Sequence, residues 1–563
     1  MPGKWEPLKN QPTFNTSTMI LLTDGRVMVQ EDGTEHWHAL APDDKGSYIN
    51  GKWSTLADMS LWRTYYASGV VKNGRVFLCG GEYSGDIKET NKGEIYDPVT
   101  DIWKSIATPP WKEVGDAACC VLPDGRILIG NLDSGACIIY NPATDSWSTT
   151  GSQSIRTAEE TWILLPDDTI LTPQCHSPYQ SEKYVISSGT WQNEGSLPAT
   201  VVDSTMSEIG PGMLLYNGKV IFFGAANSGG HGKTVIYTRP ATPTAKGTWT
   251  SGPDIPKVSG DVMVSNDCPA ALLPNGKVLF TAAKFLNNDW GSPVYFFEYD
   301  PVASTITQVP TPPNNNAVIY VSRLMLLPTG QVLFSPSSNN VQVYTPDGGP
   351  QDAWRPTIGS VAHISLVNND FLLQGTQLNG LSQANIYGDD CYPATNYPLV
   401  QLTDTKTQEV HFCRTHEFST MGVATGPLLQ SALFTPSGIP DGIYELRVIA
   451  NGISSHPVGF EYHRTRKPYW LDVGVKREFE YLGKLVAEGD PFHRFEWLVD
   501  PDEIEQLKIQ VKLLENTVQR LNSLIQVKEL PQVGRDIAKE ARTAREADRR
   551  QQKPGKSRRP KKK

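Results

Sequence analysis

Residues 67–81, ASGVVKNGRVFLCGG, and residues 94–103, EIYDPVTDIW, contain the pattern that decides the fold of this chain. Two runs of β-forming residues flank Asn-Gly, which favours a tight hairpin because these residues adopt positive φ at low steric cost. A Tyr-x-Pro turn follows, and Trp103 closes the unit. The pattern predicts a small antiparallel sheet.

This unit recurs seven times, for example as residues 119–131, CCVLPDGRILIGN, followed by residues 139–147, IYNPATDSW. The hairpin turns follow one another at 43 to 58 residues, close to the period of kelch repeats. Sheets this small cannot bury both faces alone, whereas sheets packed radially cover each other. We therefore predict a mainly β chain with a seven-bladed β-propeller over residues 1–354. The tryptophans that close the repeats should pack between blades, namely Trp53, Trp103, Trp147 and Trp191.

The pattern changes after the seventh repeat. Runs such as residues 363–375, HISLVNNDFLLQG, and residues 442–453, GIYELRVIANGI, are short β-forming segments separated by polar turns. They predict an immunoglobulin-like (early-set) β-sandwich over residues 355–463. An aromatic-containing linker is expected over residues 464–499.

A helix is predicted over residues 500–530. Asp500 can cap its N-terminus, and Pro501 suits the first helical position. The apolar residues that follow have heptad spacing: Ile504, Leu507, Val511, Leu514, Val518, Leu521 and Ile525. This seam predicts a parallel two-stranded coiled coil, and so self-association through residues 504–525. The alternative is that the helix packs on its own propeller.

Charge is divided unevenly along the chain. The net charge is −9, although residues 535–563 contain 13 Lys or Arg and only four Asp or Glu. We expect residues 531–563 to form a basic, disordered tail that binds nucleic acid, anionic lipid or an acidic protein surface, or that only adds solubility. No run of 18 apolar residues predicts a membrane span, and no signal peptide is visible. A cytoplasmic location is slightly favoured over secretion by a non-standard route.

Candidate functional residues come from the geometry of a propeller. The innermost strand of each blade should begin eight or nine residues before its hairpin turn. Counting back places seven positions around one mouth of the central channel: Thr16, Tyr65, Asp116, Glu159 or Glu160, Glu208, Asp267 and Tyr320. Carboxyl groups brought together raise one another's pKa unless a cation or a ligand amine neutralises them. We therefore predict ligand binding by Asp116, Glu160, Glu208 and Asp267, the alternative being that such acids face bulk solvent.

Three stretches resemble the galactose oxidase and glyoxal oxidase family of copper radical oxidases: residues 62–85, 320–334 and 414–426. The resemblance implies a copper ion on the propeller axis, bound by two tyrosines and two histidines, with one tyrosine joined to a cysteine by a thioether. Tyr65 matches the cross-linked tyrosine, Tyr320 the axial tyrosine, and His416 the histidine supplied by the sandwich. Tyr83 matches the aromatic residue that shields the radical, and we expect it to bind the ligand together with the axial acids.

The match departs from the family at two positions. Val321 follows Tyr320 where the second histidine belongs, and no cysteine lies near Thr16 to form the thioether. Cu(II) prefers nitrogen and oxygen ligands, and a hydrocarbon side chain cannot replace an imidazole. No GxSxG, P-loop or HExxH motif suggests another enzyme class.

We therefore favour an oligomeric ligand-binding protein over an enzyme. Its ligand would be a glycan or a cationic group held at the mouth by Tyr65, Tyr320, His416 and the axial acids, with avidity from the coiled coil. One alternative is a divergent copper oxidase of primary alcohols or aldehydes that produces hydrogen peroxide, with Tyr65, Tyr320 and His416 as metal ligands. The other is a protein-interaction scaffold.

Overall fold

The computed structural model describes residues 3–84, 87–177, 179–203, 205–225, 230–313, 315–365, 369–387 and 393–463. These ranges are almost wholly β-structure, with two short 3-10 helices. Within them, no helix is long and apolar enough to span a membrane. The predicted linker, coiled coil and basic tail lie outside the described residues and stay predictions.

Seven antiparallel sheets, six of four strands and one of six strands, confirm the predicted propeller. The first strand of the chain, β1 (Lys4–Pro7), belongs to the last blade. From the axis outward, blade 1 contains β2 (Thr16–Leu21), β3 (Val27–Glu31), β4 (Trp37–Ala41) and β5 (Lys52–Leu56). Blade 2 contains β6 (Ala67–Val70), β7 (Val76–Cys79), β10 (Gly93–Asp97) and β11 (Ile102–Ser105), with a hairpin of β8 (Glu82–Ser84) and β9 (Ile87–Glu89). Blade 3 contains β12 (Cys119–Val121), β13 (Ile127–Asn131), β14 (Ser134–Asn141) and β15 (Ser146–Thr149).

The remaining blades follow the same plan. Blade 4 contains β16 (Ile163–Leu164), β17 (Thr169–Pro173), β18 (Gln180–Val185) and β19 (Thr190–Ser196), and blade 5 contains β20 (Gly212–Leu214), β21 (Lys219–Phe223), β22 (Thr234–Thr238) and β23 (Thr248–Ser251). Blade 6 contains β25 (Pro269–Leu272), β26 (Val278–Lys284), β27 (Tyr295–Asp300) and β28 (Thr305–Gln308), with β24 (Met263–Val264) beside β26. Blade 7 contains β29 (Arg323–Leu326), β30 (Val332–Ser335) and β31 (Gln342–Thr345).

The ring is closed by the start of the chain. Strand β1 pairs antiparallel with β31, Lys4 opposite Thr345 and Pro7 opposite Gln342, and so completes blade 7 from outside. The last blade thus combines strands from both ends of the propeller sequence, which holds the first and last blades together and leaves β31 without an open edge.

Tryptophans of the outermost strands connect neighbouring blades, as predicted. Trp103 Nε1 donates a hydrogen bond to the Ala57 carbonyl at 2.9 Å, just beyond the outermost strand of blade 1. Trp147 Nε1 likewise donates to the Ala107 carbonyl at 2.6 Å, just beyond blade 2. The rings also pack against the apolar core, so Trp103 and Trp147 each contribute burial and a hydrogen bond between blades.

A second group of strands follows the propeller and has its own apolar core, which includes Leu373, Val400, Phe434 and Leu446. The strands are β32 (Thr357–Ser365), β33 (Asp370–Thr376), β34 (Asn385–Tyr387), β35 (Leu399–Asp404), β36 (Val410–His416), β37 (Leu429–Thr435), β38 (Gly442–Ala450), β39 (Ile453–Ser454) and β40 (Val458–Tyr462). Its strands pair antiparallel, as a sandwich requires. The immunoglobulin-like assignment and the domain bounds stay predictions.

This second group covers the propeller face at which the innermost strands end. The Thr415 amide donates to the Thr23 carbonyl at 3.1 Å, and the Phe418 amide donates to the Lys72 carbonyl at 3.0 Å. These carbonyls lie in the turns after β2 and β6. The central channel is therefore covered at this end, and its other mouth lies where the innermost strands begin.

A segment of the second group enters the channel. We call residues 378–387 and 393–397 the plug. Its strand β34 pairs with β25, the innermost strand of blade 6. Gln383 Oε1 accepts a hydrogen bond from the Leu164 amide of blade 4 at 2.9 Å. Asn385 accepts from the Leu326 amide of blade 7 and donates to the Leu324 carbonyl, both at 2.9 Å. The plug thus pairs backbone groups that face the axis.

Replacing Asn385 with alanine should lower the free energy of unfolding by about 2 kcal/mol, because it leaves a buried amide and a buried carbonyl of β29 without partners. Urea unfolding of the whole chain measures the change. Asn217→Ala, which loses an exposed turn hydrogen bond to the Lys219 amide, is the matched control. Equal stabilities of the two variants would contradict the role given to the plug.

Candidate functional site

The open mouth of the channel is surrounded by residues that precede the innermost strands. Tyr65 lies two residues before β6, and Asp267 lies two residues before β25. Tyr320 lies in a 3-10 helix, Ile319–Val321, directly before β29. The structure thus places these three predicted residues at one end of the channel.

The backbone is strained at several of these positions. Tyr65 and Asp267 have φ of 51° and 56°, and Ser207, beside Glu208, has φ of 68°. Such left-handed conformations cost about 1–3 kcal/mol in residues other than glycine and occur most often at functional sites. Positive φ therefore recurs where the innermost strands begin, as it also does at turns elsewhere in the described residues.

Four aromatic side chains form a row across the mouth. Ring centroids are 6.1 Å apart between Tyr83 and Tyr65, 6.4 Å between Tyr65 and Tyr320, and 5.0 Å between Tyr320 and Trp290. Tyr83 is 50% exposed, and the other three side chains are half-buried. We call these four residues the aromatic row. Part of its surface therefore faces solvent.

Two residues that sequence reasoning missed lie beneath the aromatic row. The Arg323 guanidinium carbon is 3.8 Å from the ring centroid of Tyr387 and 5.9 Å from that of Tyr65. Arg323 Nη1 donates to the carbonyls of Tyr320 at 2.6 Å and Ser322 at 3.0 Å. The arginine is only 4% exposed. A permanent positive charge is therefore fixed on the axis beneath the tyrosines.

Asp267 faces this charge. The Tyr387 hydroxyl donates to Asp267 Oδ1 at 3.3 Å and also to the Tyr320 carbonyl. Burial raises the pKa of the Asp267 carboxyl to about 6, against the opposing effects of Arg323 and the Tyr387 hydrogen bond. The charge of Arg323 favours the ionised form of this carboxyl.

The other predicted acids are placed differently from one another. Burial, the charge of Glu82 and the nearby Tyr320 and Asp116 raise the pKa of Tyr83, so Asp116 lies close to the aromatic row. Glu208 is 9% exposed at the start of blade 5. Both remain candidates for contact with a ligand.

Glu160 does not join the mouth, which corrects the prediction. Its side chain is fully buried, where it accepts hydrogen bonds from Gln153 Nε2 at 2.7 Å and Trp162 Nε1 at 3.0 Å. Burial raises the pKa of its carboxyl to about 8.

His416 does not join the tyrosines either. It lies at the covered end of the propeller, where Nε2 is 3.2 Å from Thr435 Oγ1 and 3.6 Å from Asp370 Oδ1. There it lines a cavity of about 650 Å³ together with Arg414. Burial and the charge of Arg414 lower its pKa. The predicted metal set of Tyr65, Tyr320 and His416 is therefore divided between the two ends of the channel.

The axial residues do not fit a copper ion. Val321 offers no donor atom, and His416 is at the other end of the channel. The buried guanidinium of Arg323 would repel a second cation next to the tyrosines. Within the described ranges, no cluster of three or more His, Cys, Asp or Glu side chains is arranged to hold a metal ion.

Comparisons with known proteins agree with the fold. Residues 63–110 match the model of the Kelch motif. The Kelch-like protein terF of Aspergillus terreus is 27% identical over 212 residues, which cover 34% of this chain and 44% of the relative. Galactose oxidase of Gibberella zeae is 41% identical over 83 residues, which cover 15% of this chain and 11% of the relative.

The chain thus spans less than half the length of these curated relatives. Among solved structures, it is similar to a fungal alcohol oxidase of the AA5 family in complex with copper. The TM-score is 0.48 at 13% identity, covering 82% of this chain and 99% of the other.

Proposed function

We propose that this galactose oxidase-like kelch propeller protein binds a carbohydrate at the open mouth of its channel, without copper. The observation that carries the proposal is the aromatic row, four rings in sequence at the channel mouth beside carboxyl groups, one of them 50% exposed and three half-buried. Ligand sites commonly combine aromatic surface with a few polar groups that fix orientation.

A sugar ring suits this surface because it presents apolar C–H faces and hydroxyl edges. The C–H faces can pack on the tyrosine and tryptophan rings. The hydroxyl groups can donate to Asp267 and Asp116, which lie near the aromatic row. The row extends from blade 2 past the axis to blade 6, which favours an oligosaccharide over a single sugar.

The copper oxidase alternative receives less support because its ligands are not brought together at the axis. The scaffold alternative is separated from ours by the binding test that follows.

Self-association through residues 504–525 and binding of the basic tail to an acidic partner also remain proposals. Light scattering of the whole chain would test self-association.

Replacing Tyr83 with alanine should weaken carbohydrate binding about tenfold, because one stacking surface is worth about 1 kcal/mol or somewhat more. A glycan array, read with the metal-free whole chain, identifies the ligand and compares the variants. Tyr179→Ala removes a tyrosine of similar exposure, 49% against 50%, from outside the aromatic row and is the matched control. An array without bound glycan, or equal binding by both variants, would favour the scaffold alternative.

A further inference from the structure

We propose that Arg323 determines the specificity of the axial site by excluding metal cations from it. On this view the guanidinium supplies the positive charge that a bound metal would otherwise supply beside Tyr65 and Tyr320. The inference stands apart from carbohydrate binding, because it concerns the charge of the site alone.

Three elements hold the guanidinium in place. The 3-10 helix before blade 7 accepts its hydrogen bonds through the carbonyl of Tyr320, and the Ser322 carbonyl accepts another. The plug supplies Tyr387, whose ring lies 3.8 Å from the guanidinium carbon. Because the residue is 4% exposed, moving the guanidinium out into solvent to admit a metal ion would require these contacts to break.

The charges around the axis explain the consequence. Asp267 interacts electrostatically with Arg323 and accepts a hydrogen bond from Tyr387, the residue that packs on the guanidinium. An arginine side chain stays protonated at all ordinary pH values, so its charge cannot be removed by titration. A metal ion bound by the two tyrosine oxygens would meet this cation at short range in a poorly screened environment. Removal of Arg323 would leave Asp267, Tyr65 and Tyr320 as an anionic, oxygen-rich set.

The test is calorimetric titration of the whole chain with cupric ion. Surface histidines will also bind copper. The number of cupric ions bound per chain is therefore compared between the wild-type protein and matched variants. For the wild-type protein and Tyr320→Phe, we expect the same number of cupric ions. For Arg323→Gln, we expect one further cupric ion per chain. Its affinity should be at least tenfold higher than that of any cupric ion at the axis of the wild-type protein.

Two controls keep the result interpretable. Arg323→Lys retains the charge and should gain no ion, whereas Arg323→Gln combined with Asp267→Asn should lose the added ion. The proposal is overturned if the wild-type protein binds one more cupric ion than Tyr320→Phe. It is also overturned if folded Arg323→Gln gains none. If Arg323→Gln does not fold, the comparison of the wild-type protein with Tyr320→Phe can still overturn the proposal, because it does not depend on Arg323 variants.

Discussion

Trp5→Ala is expected to lower the free energy of unfolding by about 3 kcal/mol, the low end of the cost of truncating a large aromatic side chain in a core. Trp5 lies in β1, the strand that closes the ring. Its ring centroid is 4.7 Å from that of Phe296 and 4.9 Å from that of Tyr344. Its Nε1 donates to the Pro310 carbonyl of blade 6 at 2.7 Å.

Truncating Trp5 should lower the free energy of unfolding more than truncating other half-buried aromatic residues, because β1 has only four residues and a single neighbouring strand. Loss of the ring removes the main anchor of the strand as well as its own contacts. Urea unfolding gives the change, and Lys4→Ala on the same strand, at an exposed position, should cost less than about 0.5 kcal/mol. A Trp5→Ala variant that loses less than about 1 kcal/mol would show that closure by β1 contributes little.

Glu160→Gln is expected to stabilise the protein at alkaline pH, by about 2–4 kcal/mol at pH 8. The carboxyl is fully buried and its pKa is raised to about 8, from 4.5 for an ordinary glutamate. Folding therefore favours the protonated acid. Glutamine reproduces its shape, can accept the hydrogen bonds from Gln153 and Trp162 with its oxygen, and never has to lose a proton.

The direction follows from proton binding. Between about pH 4.5 and pH 8, the folded protein keeps the proton of Glu160 and the unfolded chain has lost it. Stability then falls as pH rises, by up to about 1.4 kcal/mol per pH unit from this group. The stabilising contribution of the Glu160 proton to the free energy of unfolding is complete below about pH 4.5 and is lost by about pH 8. The variant should equal the wild-type protein near pH 4.5 and exceed it increasingly toward pH 8.

Unfolding by urea at a series of pH values measures this difference. Subtracting the two curves cancels other groups that titrate in the same interval, Asp267 among them. Glu445→Gln, at an exposed position, provides the control and should show a flat difference. A flat difference for Glu160→Gln would mean that Glu160 ionises in the folded protein as it does in the unfolded chain.

The propeller could be predicted because its determinants are local. Each hairpin contains its own turn residues, and each closing tryptophan is near its strand, so seven copies repeat a readable pattern. Ring closure could not be read in this way. Strand β1 has four residues, matches no repeat, and pairs with β31 more than 330 positions further along the chain.

The candidate site was predicted in part. Counting back from the turns located Tyr65, Asp267 and Tyr320 because each lies eight or nine positions before its hairpin turn. Trp290 was missed because it lies in the connection between β26 and β27, not at a strand start. Arg323 was missed because its role depends on Tyr387, which reaches it from the plug.

His416 shows the limit of placing a residue by resemblance. The segment of the second group that enters the channel is the plug, whereas His416 ends β36 at the covered face. Which loop of the second group reaches the axis depends on contacts between domains, and no local pattern encodes them. The resemblance therefore predicted the scaffold better than it predicted the ligand set.

The central claim is that the open mouth binds a carbohydrate without a metal. Calorimetric titration of the EDTA-treated whole chain with the glycan identified on the array tests it most directly. We predict saturable binding that is unchanged when copper is restored and about tenfold weaker in Tyr83→Ala. Binding that requires copper, or continuous heat from turnover of the sugar with hydrogen peroxide as a product, would contradict the claim and favour an oxidase.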